Sequence, residues 1–178
     1  MSAISARGSG QDAISWTRRV RGMACVTPVL AGLAFSVASV SAADPTGDLK
    51  SSVDSARGTS CPALRSDPIL NQMAQRANLS TDSYIGFTTR SQPLGTPKAD
   101  LIPALHQLGY TATKAKLLSG YGDPAIEGYG DVAAKASYGV VLQGYEAILD
   151  CSYTAVGVDL LTNPSKGYAL ATVILAAT

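Results

Sequence analysis

The sequence predicts an α+β domain in which helices come first and strands last. Two observations carry this. Apolar residues recur at helical spacing behind Asp44, Asp67, Asp100 and Asp131. The C-terminal stretches Tyr153 to Leu161 and Tyr168 to Ala176 are instead rich in Val, Ile and Leu, with the turn Asn163-Pro164-Ser165-Lys166-Gly167 between them.

Before any of these elements stands a segment of different character. Arg18, Arg19 and Arg21 precede an uncharged run from Met23 to Val40, which ends in Ser41-Ala42-Ala43. Basic, apolar, then small residues is the order of a secretory signal peptide, here expected over residues 1–42, with cleavage at Ala42/Ala43 or one residue later. An uncleaved membrane anchor is the alternative; the run is only just long enough to span and contains Pro28. Residues 43–178 then form one domain, which is expected to act outside the cytoplasm, in the envelope or extracellular space, without a membrane span of its own.

Removing the segment takes Arg7, Arg18, Arg19, Arg21 and Asp12, leaving ten basic and twelve acidic residues. The mature domain is thus slightly acidic, and its basic residues are scattered. That argues against nucleic acid as a partner. Cys25 and Trp16 also leave, so the mature chain keeps Cys61 and Cys151. In an oxidising compartment two cysteines predict one disulfide, with two buried free thiols as the alternative.

The elements follow in order. Asp44 or Thr46 caps a first helix with Leu49, Val53 and Ala56 on one face and Gly58 as its stop. Asp67-Pro68 starts a second, because Asp caps and Pro is preorganised for the first helical position. Its apolar face is Ile69, Leu70, Met73, Ala74 and Ala77, and a shorter helical stretch is expected near Thr81 to Phe87. Ser91 to Pro97 reads as loop, Asp100 opens a helix terminated by Gly109, and Lys114 to Leu118 reads as a short strand.

Gly120-Tyr121-Gly122-Asp123 is repeated as Gly128-Tyr129-Gly130-Asp131. Regular Gly and Asp can form a calcium turn, but two copies are too few, and a duplicated loop before a helix from Asp131 to Leu149 is the plainer reading. The last two strands, joined by a five-residue turn, form an antiparallel hairpin that must pack on the helices, because an isolated hairpin is marginal.

Two blocks resemble the CAP (SCP-like) superfamily of cysteine-rich secretory, antigen 5 and pathogenesis-related proteins. The stretch Ser55 to Gln75, with Ser66-Asp67-Pro68-Ile69-Leu70, is similar to the family's opening block. Ala147-Ile148-Leu149-Asp150-Cys151-Ser152-Tyr153-Thr154-Ala155-Val156-Gly157-Val158 is similar to its closing block. The Cys61/Cys151 pair resembles a divergent subgroup of exported mycobacterial proteins. The resemblance implies an α-β-α sandwich around a small antiparallel sheet. It also implies a cleft that in many relatives holds two His and two Glu around a divalent metal.

Those ligands are replaced here. The resemblance places the first His at Ala77 and the second at Gly144 or Tyr145, so the candidate cleft positions are Ala77, Asn78, Tyr145 and Glu146. The one histidine, His106, lies outside both blocks, and one His with no close cysteine pair cannot make an ordinary zinc site. No cofactor is therefore expected. The expectation is an exported, non-catalytic binding domain whose ligand is an envelope or extracellular component, such as a lipid or other apolar molecule. The alternatives are a secreted hydrolase using His106, or Glu146 paired with Asp150 or Asp159, and a structural envelope protein without a discrete ligand. All eight tyrosines lie in the mature chain, six of them beside glycine, and tyrosine serves contact surfaces and sheet edges equally well.

Overall fold

A computed structural model of the chain describes residues 44–94 and 101–178. The expected signal peptide and the Asp100 helix start lie outside these residues. The element order is α1 (Pro45–Arg57), β1 (Arg65–Ser66), α2 (Pro68–Ile85), α3 (Leu101–Gln107), β2 (Lys114–Gly122), α4 (Val132–Ile148), β3 (Ala155–Asn163) and β4 (Tyr168–Ala177).

The helix starts behave as their cap residues require. Asp44 accepts from Thr46 N, Asp67 from Ile69 N and Asp131 from Ala134 N, each satisfying an amide that has no partner within its helix. Gly58 and Gly109 stop their helices at positive φ, 61° and 82°, where a side chain would be strained. The second helix runs unbroken through Thr81 to Ile85, so the separate stretch expected there is the last turns of α2. No glycine or proline interrupts it between Pro68 and Ile85, and Asp82 ties its last turns to Tyr168 and Asn163.

Four strands form an open sheet in the order β1-β3-β4-β2. The C-terminal hairpin is present, with β3 and β4 antiparallel and in register from Ala155↔Ala176 to Asn163↔Tyr168. Two features differ from the expectation. β1 adds a two-residue parallel pairing to β3, so the small sheet is mixed. β2 is also longer than Lys114 to Leu118 and continues through Gly120-Tyr121-Gly122. The first copy of the Gly-Tyr-Gly-Asp repeat is therefore strand, and only the second is loop.

Packing explains that strand. A Cβ on Gly120 would overlap the Ala136 carbonyl oxygen, and one on Gly122 the Val132 carbonyl oxygen. Only glycine lets α4 lie this close to β2. On the other face a Cβ at Gly157 would overlap the backbone of Leu70, so α2 makes the same close approach to β3.

The alternation of the strands divides the core in two. Leu118, Val156, Val158, Ala171, Val173 and Leu175 face Leu49 and Val53 of α1 and Ala136, Val140 and Ile148 of α4. Ala155, Ile174 and Ala176 face Leu70, Met73 and Ala74 of α2 and Leu105 of α3. The result is an α-β-α sandwich, α1 and α4 on one face, α2 and α3 on the other.

Cys61 and Cys151 are joined by a disulfide, Cα to Cα 5.1 Å, tying the chain after α1 to the chain after α4. Beside it lies Arg57, only 2% exposed. Its guanidinium donates to the carbonyls of Pro62, Ile148, Asp150 and Tyr153 and to no carboxylate. A cation at the C-terminal end of α4 is favoured by the helix dipole as well as by these four acceptors. Among the described residues no helix is long and apolar enough to cross a membrane.

Candidate functional site

The second half of α2 carries the polar residues that organise one sheet face. Asn78 is buried, and its amide donates to the Asp159 carbonyl at 3.0 Å and to Asp159 Oδ2 at 2.7 Å. The Thr172 hydroxyl donates to Asn78 Oδ1 at 2.7 Å. One turn on, Asp82 Oδ1 accepts from the Tyr168 hydroxyl at 2.6 Å and from the Asn163 amide at 2.8 Å. These two bonds hold the Asp82 carboxyl below the usual carboxylate range. Asn71, at the start of the same helix, accepts from Val158 N at 2.9 Å and extends the edge of β3 where β1 has ended.

Beside this network is a cavity of about 340 Å3. Thr81 and Ile85 of α2 form one wall and Leu94 the rim, while Leu117, Tyr121 and Leu170 line the sheet side. Asn78 and Thr172 form its polar floor, with their hydrogen bonds spent on each other and on Asp159. Ser119 and Gln143 add polar side chains to the lining, so what remains open to a ligand is a mixed surface, more apolar than polar.

The four candidate cleft positions do not converge. Ala77 is buried against the sheet and Asn78 belongs to the cavity floor. Tyr145 and Glu146 lie on α4, across the sheet, and both are exposed. Gly144 is buried because a Cβ there would overlap the Leu118 side chain. An imidazole at Gly144 would displace that leucine, and one at Ala77 would have to enter the core.

The catalytic alternatives do not assemble either. His106 is exposed on α3 and does not line the cavity. Glu146 and Asp150 share a shallow depression, but Lys114 Nζ sits 2.5 Å from Asp150 Oδ2 and 2.9 Å from Ser152 Oγ. Hydrogen bonds from Lys114 and Ser152 hold the Asp150 carboxyl well below its usual range, the reverse of what a general acid needs. Asp159 lies on the opposite face, bound to Asn78. Among the described residues no group of three His, Cys, Asp or Glu could hold a metal ion.

A second depression, about 790 Å3, runs between α1 and the start of α4 on the other face of the sheet. It was not legible in the sequence, because its walls are serines, alanines and aspartates that look like any solvated helix surface. The loop before α4 is strained beside it, with Gly128, Tyr129 and Gly130 at φ 83°, 56° and 80°. For a tyrosine the left-handed region costs on the order of 1–2 kcal/mol. Tyr129 is held there with its ring stacked on Tyr138, centroids 4.3 Å apart and planes 16° from parallel.

Two solved structures share this architecture. One is a cysteine-rich secretory protein from Staphylococcus aureus subsp. aureus Mu50, TM-score 0.51, 14% identical over 75% of this chain and 38% of that one. The other is an outer surface protein from Borrelia burgdorferi, TM-score 0.53, also 14% identical, covering 75% of this chain and 92% of that one. The fold is CAP-like. The chain spans well under half the length of the staphylococcal protein. No protein-family model matches the chain, and no curated protein sequence does. The CAP-like sandwich places the smaller cavity on the α2 face and the larger depression on the α1/α4 face.

Proposed function

We propose that this is an exported CAP-like binding domain that takes an apolar ligand, such as a lipid acyl chain, in the cavity beside α2. The observation that carries the reading is the chemistry of that cavity. Ile85, Leu94, Leu117, Tyr121 and Leu170 form most of its wall beside Ser119 and Gln143, and its polar floor is already internally hydrogen-bonded. The Asn78/Thr172 floor has little left to offer a polar substrate, and Ser119 and Gln143 stand beside a wall that is mostly hydrocarbon, which favours an apolar ligand with at most a small polar end. The positions at which the resemblance puts histidines are occupied by the core residue Ala77 and by either Gly144, pressed on Leu118, or the exposed Tyr145.

Export is part of the same proposal. The basic-apolar-small segment over residues 1–42 acts as a cleaved signal, and the Cys61–Cys151 disulfide suits an oxidising compartment. Action in the envelope or outside the cell follows from both.

The test is a titration of the processed protein with a fluorescent fatty acid, cis-parinaric acid, beside native mass spectrometry of protein taken from its exporting host. Saturable binding, weakened at least tenfold by Ser119→Trp, which fills the cavity from an exposed strand position, is the expected result. Absence of any binding, or binding that Ser119→Trp leaves unchanged, rejects the cavity as the ligand site.

A further inference from the structure

The inner side of α4 supplies the core with Ala136, Val140 and Ile148 and presses Gly144 on Leu118. Its outer side is apolar as well. Tyr138, Leu142, Tyr145 and Leu149 are 43%, 65%, 54% and 37% exposed. They are separated by four, three and four residues, so they form one stripe along the helix. We propose that this stripe is a self-association surface, on which α4 of a second copy of the chain packs antiparallel.

The pattern of the stripe points to a second copy. Four, three, four reads the same from either end, and the residues alternate Tyr, Leu, Tyr, Leu. A two-fold axis between Gln143 and Gly144 therefore sets Tyr138 against Leu149 of the other copy, and Leu142 against Tyr145. Every contact is then an aromatic ring on an aliphatic side chain, whereas a parallel pair would set Tyr on Tyr and Leu on Leu. Such self-complementarity is what a two-fold interface requires, and spacings of three and four are those of a helix–helix seam.

Area and charge agree. Tyr129, stacked on Tyr138, lengthens the patch. The five side chains expose on the order of 500 Å2. Two copies would remove about 1,000 Å2 from water, the lower end for a specific interface, so the dimer is a weak one. The stripe itself carries no charge. Lys135, on its flank, spends its ammonium on the carbonyls of Asp123 and Ile126. The carboxylates Asp131, Glu146 and Asp150 border it, which disfavours an anionic lipid surface as the occupant.

Sedimentation velocity of the processed protein across the micromolar range is the experiment. A shift from monomer to dimer with rising concentration is expected. Leu142→Glu and Tyr145→Lys should each weaken the dimer at least tenfold. Both positions are exposed, so thermal midpoints of dilute protein should stay at the parent value. The two variants mixed should dimerise again, because the new carboxylate and ammonium then face each other once while the second contact keeps its parent residues. Ser119→Trp, in the cavity beside α2, should dimerise like the parent, which separates this surface from the ligand site. A parent that stays monomeric throughout overturns the proposal, as does a dimer that survives Leu142→Glu or a mixture that fails to recover. A monomer that floats with phosphatidylcholine vesicles also overturns it, and would make the stripe a membrane-facing surface.

Discussion

Arg57 Nη1 donates to the Ile148 carbonyl at 2.6 Å, across a separation of 91 residues, with both groups buried. Through this bond and three others, the last turn of α1 holds the end of α4 and the chain leading into β3. The Cys61–Cys151 bridge lies beside it, so the same corner of the sandwich is fastened twice.

Arg57→Leu removes all four donors and leaves buried carbonyls without partners. The expected loss is on the order of 3 kcal/mol or more, read from urea unfolding midpoints at constant slope. Arg57→Lys should recover little, because an ammonium cannot reach four carbonyls in a planar fork. A loss under about 1 kcal/mol for Arg57→Leu would show that the corner relies on the disulfide instead.

Opening that disulfide by the double change Cys61→Ser with Cys151→Ser releases a loop whose ends are 90 residues apart. The chain-entropy relation puts the loss at about 4–5 kcal/mol. Guanidinium unfolding of the oxidised parent and the double variant measures it. Free-thiol titration of the unfolded parent should find none among the mature cysteines.

Gly120→Ala should destabilise by about 2–3 kcal/mol, because its methyl overlaps the Ala136 carbonyl oxygen and pushes α4 off β2. Gly139, on the facing helix, is the control. A Cβ there lies 3.4 Å from Gly120 Cα, an ordinary contact, and alanine also favours the helix. Equal unfolding midpoints for the two alanine variants would contradict the close approach.

Acid should act through Asp82. Its folded-state pKa is depressed below 3.8 by Tyr168 and Asn163. A depressed carboxyl contributes stability that is complete above the unfolded value and disappears as pH falls through the folded one. The parent should therefore weaken as pH drops below about 4. Tyr168→Phe should cost about 1–2 kcal/mol at neutral pH and show a shallower loss on acidification. Thermal midpoints across pH 7 to pH 2.5, roughly spanning the carboxylate range, test this, and parallel curves for the two proteins would refute it.

Much of the scaffold could be read from short-range signals. Asp67-Pro68 announces α2 because cap and first-turn preferences act within three residues, and Asp67 does accept from Ile69 N. Asn163 to Gly167 announces the hairpin for the same reason. The site was less legible. Arg57 looks like an ordinary basic residue in a last turn, and nothing local shows that four carbonyls from distant segments surround it. Tyr145 and Glu146 appeared to belong with Ala77 and Asn78, yet a sheet separates them.

The sequence by itself determined the starts of α1, α2 and α4, the hairpin and the availability of one cysteine pair, since each depends on neighbours a few residues apart. Only the tertiary structure decided that Gly120-Tyr121-Gly122 is strand, that β1 pairs in parallel with β3, and that α2 and α4 take opposite faces. Those outcomes depend on contact between backbones far apart in the chain. There the size of one Cβ decides whether a helix can lie on a strand, and no local pattern reports that distance.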